Sequence, residues 1–171
     1  MPRFRTIAIP TATAEAVRAT LRSPRYGHPA HVETAAGYGP CRHCLRTFRV
    51  GEERRILFTL DPFQGVEPFP LPGPVFVHQD ACARYPEEGG FPEELRAHPL
   101  TLCGYARGRE LREEVRVQGA EVEPEVARLL ARADVDYVHV RDTSAGCYDF
   151  RIERAEGAAG GTGLPGGGGA G

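Results

Sequence analysis

Apolar and polar residues alternate in several short segments of the chain, and this pattern predicts β-strands. The segments cover residues 4–9, 54–60, 75–77, 100–106, 111–117, 135–141 and 147–154. Glycine, proline and polar residues bound most of them, as is typical of strands joined by turns. Residues 48–50 are expected to pair with residues 54–60 as a hairpin, and residues 25–40 are expected to form a loop. The pattern predicts a mostly antiparallel sheet.

Two other segments repeat their apolar residues at helical spacing. In the first, Ala14, Val17 and Leu21 fall on one face. The second is expected to begin at Pro124, because proline is favoured at the first position of a helix. Its apolar stripe consists of Val126, Leu129, Leu130 and Ala133. Two helices packed on a mostly antiparallel sheet define an α+β fold.

The length of 171 residues indicates a single domain. We expect residues 1–155 to form this domain, with a metal module at residues 40–86 embedded in it. Residues 156–171 consist mainly of glycine and alanine, with almost no apolar side chains to offset the entropy of ordering. They are expected to form a disordered tail.

Charge and hydropathy disfavour several classes of protein. The formal net charge is −2, so the chain lacks a global positive field for nucleic acid or an anionic membrane. No apolar run approaches the roughly 20 residues of a membrane span, and the first residues lack the apolar core of a secretion signal. We therefore expect a cytoplasmic protein whose five cysteines stay reduced.

The spacing of cysteine and histidine between residues 41 and 82 is the strongest chemical signal. Cys41 and Cys44 form a Cys-x-x-Cys pair, and His78 and Cys82 form a His-x-x-x-Cys pair. Together they could supply the four ligands of a tetrahedral zinc ion. Four protein ligands would close the coordination sphere, so the zinc is expected to be structural. A redox cysteine pair and plainly buried cysteines are the alternatives.

The segments around these ligands predict a treble-clef-like Cys3His module. Residues 40–44 are expected to form a tight knuckle, and residues 48–60 a hairpin. Residues 78–85 are expected to begin a helical turn, in which the last two ligands would share one face. His43, inside the knuckle, is a rival ligand that we expect at the surface.

The last predicted hairpin carries a second candidate site. If Arg141 pairs with Cys147, one face of the hairpin collects its apolar residues, which are Val138, Val140, Tyr148, Phe150 and Ile152. The opposite face then carries a thiol, an imidazole and a guanidinium. Cys147 could act as a nucleophile, His139 as its base and Arg141 as an anion anchor. A solvated face with one cysteine on it is the alternative.

Several separated motifs together resemble a known family. The chain contains, in order, Cys41-Arg42-His43-Cys44-Leu45-Arg46, the Gly51-Glu52 turn, Gly73-Pro74-Val75-Phe76-Val77-His78 with Cys82, and Val138-His139-Val140-Arg141 followed by Gly146-Cys147 and Arg154. It resembles the bacterial family catalogued as domain of unknown function 1203, over essentially everything except the glycine tail. The resemblance implies a compact single-domain bacterial protein and no activity. Near position 142 it leads us to expect asparagine, whereas this chain has Asp142.

Three classes of function fit these observations. The first is a zinc-stabilised domain that binds a small anionic molecule or a protein partner. The second is a small enzyme in which Cys147, His139 and Arg141 act on an anionic or carbonyl substrate. The third is nucleic-acid binding through the arginines of residues 42–55. The acidic balance of the chain and the few aromatic side chains in that segment disfavour the third class.

Overall fold

The computed structural model describes residues 3–63 and 71–155. Its strands are β1 (Phe4–Ile7), β2 (His31–Thr34), β3 (Arg54–Leu60), β4 (Gly73–His78), β5 (Leu100–Tyr105), β6 (Leu111–Val117), β7 (Tyr137–Asp142) and β8 (Tyr148–Arg154). Its helices are α1 (Thr11–Thr20), α2 (Glu93–Arg96) and α3 (Val122–Ala131), with a 3₁₀ turn at Gly119–Glu121 before α3. The predicted disordered tail lies outside the described residues. Within those residues, none of the helices has the length and apolar character needed to cross a membrane.

The strands form two sheets with antiparallel pairing. The larger has the order β1-β8-β7-β5-β6, and the smaller has the order β2-β3-β4. Every ladder within each sheet is antiparallel. The predicted α+β class is confirmed.

Helix α3 packs on one face of the larger sheet. Its residues Val126 and Leu129 are buried in one cluster with Leu102 of β5 and Val140 of β7. Burial of each such side chain contributes about 1.5 to 3 kcal/mol. The helix begins at Val122, two residues before the predicted start, because the preceding 3₁₀ turn leads directly into it.

The smaller sheet and α1 share a second core. Ala14 and Val17 of α1 cluster with Ile56 of β3 and Val77 of β4. Tyr148, at the start of β8 in the larger sheet, belongs to the same cluster. The second core therefore joins the two sheets.

The partner of β3 differs from the prediction. Residues 48–50 form no strand, and β3 pairs instead with β2, in the segment expected to be a loop. Arg55 and Glu33 stand opposite each other in this ladder, and their side chains form an ion pair of 2.7 Å. Phe48 turns inward, with its ring centroid 4.4 Å from that of His78. These long-range contacts override the local hairpin signal.

The register of the last hairpin also differs from the prediction. A bulge lies between Val140 and Arg141, and Arg141 pairs with Tyr148, not with Cys147. On the Val140 side of the bulge the register differs by two residues from the predicted one, so that Val140 pairs with Phe150. Both side chains remain in the core under α3. The bulge redirects Tyr148, so that its ring contacts the ring of His139 at a centroid distance of 4.9 Å. Placing Tyr148 on the apolar face with Val140 was therefore wrong.

His139 lies in an aromatic cluster on the sheet face opposite α3. It is fully buried, and its ring contacts those of Phe63, Tyr105, Tyr137 and Tyr148. Neither ring nitrogen has a hydrogen-bond partner among the described residues. Burial, together with the positive charges of Arg141 and Arg151, lowers the pKa of His139 to about 2. The imidazole is therefore neutral near pH 7.

We expect His139 to make the fold sensitive to acid. The folded protein keeps this imidazole neutral down to about pH 2, whereas the unfolded chain protonates it below about pH 6.5. The unfolded state then binds more protons, so stability falls as the pH falls through this window. We compare the unfolding free energy of His139→Leu with that of the wild type. The variant's value minus the wild-type value should rise by about 1.4 kcal/mol for each unit by which the pH falls below about 6. Urea unfolding at several pH values measures this difference, which should be constant above about pH 7.5. A difference that does not vary with pH would show that the folded protein accommodates the imidazolium.

Candidate metal centre and adjoining cavity

Residues 41–44 form a tight turn that directs two sulfurs to one point. The Leu45 N–H donates to the Cys41 carbonyl at 2.8 Å, and the Cys41 N–H donates to the Arg46 carbonyl at 2.9 Å. Leu45 has a φ of 56°, in the left-handed region that non-glycine residues adopt rarely. Cys41 and Cys44 are both buried. The predicted knuckle is present.

The second pair of candidate ligands lies on extended and irregular backbone. His78 ends β4 and pairs with Arg55 of β3. The chain bends at residues 79–80 and returns Cys82 to the cluster. The predicted helical turn is wrong, because residues 78–85 contain no helix. Continued pairing with β3, in which the Gln79 N–H donates to the Arg54 carbonyl, ties the backbone to the sheet where a helix would have to start.

The structure brings the four residues together in a cluster that could hold a metal ion. The sulfurs of Cys41, Cys44 and Cys82 and a ring nitrogen of His78 all lie within 4.8 Å of one another. The two sulfurs of Cys41 and Cys82 are 3.9 Å apart, and the Cys44 sulfur is 3.4 Å from Nδ1 of His78. Ligand atoms around a tetrahedral zinc ion are about 3.4 to 3.8 Å apart, as its bond lengths require. The cluster therefore has nearly the size of such a site.

Hydrogen-bond donors surround the sulfurs. The His78 N–H points to the Cys41 sulfur at 3.4 Å, and Nη2 of Arg18 donates to the Cys82 sulfur at 3.2 Å. Arg18 also donates from Nε to the His78 carbonyl at 2.9 Å. On the far side of the His78 ring, Nε2 lies 3.5 Å from Oε1 of Glu53. A carboxylate behind a histidine ligand and donors to thiolates are the usual surroundings of a protein metal site.

The electrostatics of the cluster favour a cation. Burial lowers the pKa of His78, but hydrogen bonds to the sulfurs of Cys41, Cys44 and Cys82 outweigh burial and raise it to about 12. The sulfurs therefore attract positive charge to the position between them and Nδ1. A metal ion would supply that charge at the same place.

His43 is buried, not at the surface as expected. Its side chain lies between the cluster and α1, with Nδ1 3.2 Å from the Cys82 sulfur and Nε2 3.0 Å from Oγ1 of Thr11. Burial lowers the pKa of His43, and the positive charges of Arg18 and Arg84 add to this effect. A neutral ring can donate from Nδ1 to the sulfur while Nε2 accepts the Thr11 hydroxyl. His43 thus supports the cluster from outside.

A cavity of about 510 Å³ lies beside the cluster, where residues of both sheets meet. Tyr38 and Pro40, just before the knuckle, form part of its wall, and Phe76 of β4 forms another part. Asp142 and Cys147, at the two ends of the β7–β8 loop, also line it. Most of the lining is apolar. Binding sites for small molecules commonly have this size and character.

Arg42 connects the cluster to the cavity. It lies between the two knuckle cysteines, is 2% exposed, and lines the cavity. Its Nε donates to the Tyr148 carbonyl at 2.7 Å, and its Nη1 donates to the Pro40 carbonyl at 2.6 Å. Its Nη2 forms an ion pair of 3.1 Å with Asp149. Burial raises the pKa of Asp149 to about 7, and Arg42 opposes this shift.

The predicted catalytic residues lie in different surroundings. Cys147 is half-buried and lines the cavity, with its sulfur 3.9 Å from the Ala145 carbonyl. His139 lies in the aromatic cluster, and Arg141 donates from Nη1 to the Gly146 carbonyl at 3.1 Å. Neither His139 nor Arg141 is among the described residues that line the cavity. Within the part of the chain that the structure describes, no hydrogen bond joins either side chain to that of Cys147. Their joint catalytic role stays a prediction.

The sequence did not indicate the residues that shape the cavity. In the sequence, nothing in its residue type distinguishes Arg42 from the neighbouring arginines. Its position between two candidate ligand cysteines was the one available signal that it belongs to the site. Tyr38 and His98 are far apart in sequence, yet their rings stack at a centroid distance of 3.7 Å. No local pattern predicts such a contact.

Comparison with known proteins identifies a family. No curated protein and no solved structure matches the chain. One family model, described as Protein of unknown function (DUF1203), matches residues 38–154. The match covers more than half of the chain and includes the four cluster residues, Arg42 and the last hairpin. The chain therefore belongs to the DUF1203 family.

Proposed function

We propose that the protein is a zinc-stabilised domain that binds a small molecule in the cavity beside the metal centre. The position of Arg42 carries this proposal. Because Arg42 lies between Cys41 and Cys44 and also lines the cavity, a metal that fixes the knuckle also fixes one wall of the cavity. The metal would then support binding of the small molecule by holding Arg42, and with it one wall of the cavity, in place.

The choice of a structural zinc ion follows from the donor set. Three thiolates and one imidazole suit zinc, and four protein ligands leave no open position for water or substrate. Such a site can contribute on the order of 10 kcal/mol to folding. The thiolates must stay reduced, which fits a cytoplasmic location.

The distribution of charge favours a small molecule over nucleic acid. Of the five arginines in residues 42–55, Arg42 and Arg55 are buried in ion pairs with Asp149 and Glu33. Arg49 pairs with the two glutamates that follow it. These three arginines are therefore largely neutralised, and Arg46 and Arg54 are left as the arginines of this segment that could contact phosphates. The concave, mostly apolar cavity also suits a small molecule better than a protein partner.

A small enzyme is the second candidate function. The observation that favours it is the position of Cys147, whose half-buried side chain lines the same cavity. A ligand in the cavity would therefore lie beside a thiol. In this alternative Cys147 is the nucleophile, with His139 and Arg141 in the roles that the sequence suggested.

We expect protein purified without added metal to contain about one zinc ion per chain, as one four-ligand site requires. Cys41→Ser should lose the zinc, and the loss should unfold much of the protein because the metal contribution is comparable to the usual net stability of a domain. Elemental analysis measures the metal, and circular dichroism with thermal unfolding measures the fold. Cys147→Ser is the matched control and should keep both. A fully folded, metal-free wild-type protein would refute the zinc site.

The reactivity of the five thiols should separate into three groups. In zinc-loaded protein we expect one thiol, Cys147, to react quickly with a disulfide reagent, because three others are metal ligands. Chelation should release those three. Cys103 should stay unreactive for as long as the protein is folded, because burial raises its pKa to about 11.

The same measurement tests the enzyme alternative. If His139 activates Cys147, the His139→Leu substitution should slow the fast reaction, and Arg141→Gln should slow it as well. Equal rates in all three proteins, each shown to be zinc-loaded and folded, would remove the proposed catalytic group.

A further inference from the structure

We propose that the cavity binds a neutral, flat, largely apolar molecule that carries an amide-type group, in which a carbonyl acceptor lies beside an N–H donor. The proposal rests on the proposed function, since it presupposes a ligand in the cavity. It adds the chemical class of that ligand. Of the polar side chains that line the cavity, the two that are buried and charged, Arg42 and Asp142, have opposite hydrogen-bonding character and define this class.

Arg42 supplies donors for the carbonyl of the ligand. A guanidinium carries five N–H groups, and backbone carbonyls accept one from Nε and one from Nη1. Nη2 forms the ion pair of 3.1 Å with Asp149. Because Nη1 and Nη2 each carry two hydrogens, one on each remains to donate to an oxygen in the cavity. A hydrogen bond from a charged group is about twice as strong as a neutral one.

Asp142 supplies the acceptor for the N–H of the ligand. Its carboxylate is buried, and Oδ1 accepts the Ala145 N–H at 2.6 Å, which fixes the orientation of the side chain. None of the described residues donates to Oδ2. That oxygen has lone pairs for an N–H donor in the cavity. A donor on Arg42 and an acceptor on Asp142 together complement the two edges of an amide.

The charges around the cavity favour a neutral ligand. Among the described lining residues, Arg42 carries a positive charge and Asp142 a negative one. The formal charges of these two side chains balance. An ionic ligand would add an uncompensated charge to this buried region, which is costly. The small anion expected from the sequence would also approach the carboxylate of Asp142.

The apolar walls favour a flat molecule. The stacked rings of Tyr38 and His98 form one side, and the ring of Phe76 forms another. The Arg55 guanidinium lies over the Phe76 ring, 3.8 Å from its centroid, and holds it in place. Ring faces pack well against a planar apolar body.

A matched set of naphthalene probes tests the proposal. The probes are 2-naphthamide, its methyl ester analogue methyl 2-naphthoate, the anion 2-naphthoate and the cation 2-naphthylmethylammonium. The chain contains no tryptophan, so naphthyl fluorescence can be followed without a tryptophan signal from the protein. For zinc-loaded wild-type protein we expect 2-naphthamide to bind at least about tenfold more tightly than each of the others, since each lacks a hydrogen bond or adds a charge.

The Asp142→Asn variant should reverse the preference. Asparagine keeps an oxygen for the Ala145 N–H and places an NH₂ donor where Asp142 has Oδ2. Two donors then face the ligand, so 2-naphthoate should bind this variant more tightly than 2-naphthamide. Asp136→Asn is the matched control, because Asp136 is exposed and is not among the described lining residues. It should keep the wild-type order of affinities.

Zinc content and circular dichroism establish that each variant is loaded and folded before binding is compared. If a charged probe or the ester binds wild-type protein most tightly, or if Asp142→Asn keeps the wild-type order, the amide-type ligand class is wrong while a binding function stands. If no probe binds zinc-loaded wild-type protein, the proposed binding function fails with it. The two failures are thus distinguishable.

Discussion

Three sulfurs and one imidazole nitrogen converge on one point, and through His78 at the end of β4 this cluster attaches the smaller sheet to the knuckle. The cluster joins the knuckle to the end of β4 and to the segment after it, and Arg18 attaches α1 to the same point. Three thiolates so close together would repel one another without a cation between them. In the proposed zinc-bound form the ion removes this repulsion and holds together segments that are almost forty residues apart in sequence.

The buried pair of Arg42 and Asp149 extends this constraint to the larger sheet. Arg42 belongs to the knuckle, whereas Asp149 belongs to β8, and both are almost completely excluded from solvent. Removing one partner of a buried pair typically costs 3 to 5 kcal/mol, because an unpaired charge remains. Tyr148, whose carbonyl also accepts from Arg42, packs in the second core. The Cys/His cluster, the ion pair and the apolar packing therefore together connect the two sheets.

The sequence predicted those parts of the fold and the site that depend on spacing. Strands β5 and β6 and helix α3 follow apolar periodicity, and the cluster follows the separation of its ligands. Strand β2 was missed because residues 31–34 carry no apolar alternation, and pairing with β3 alone makes them a strand. The bulge in the last hairpin, which buries Tyr148 against His139, leaves no trace in residue polarity. The cavity was not predictable, because its walls come from segments that only the folded chain brings together.

Arg42 has a thermodynamic consequence if both proposals hold. A residue that belongs to the metal knuckle and to the cavity wall links the two binding equilibria. Linkage is reciprocal: the factor by which zinc raises the affinity for the cavity ligand is the factor by which that ligand raises the affinity for zinc. The protein would then retain its metal most strongly when the cavity is filled. In a cell where zinc is scarce, copies of the protein with a filled cavity would keep their zinc and remain folded more often than copies with an empty one.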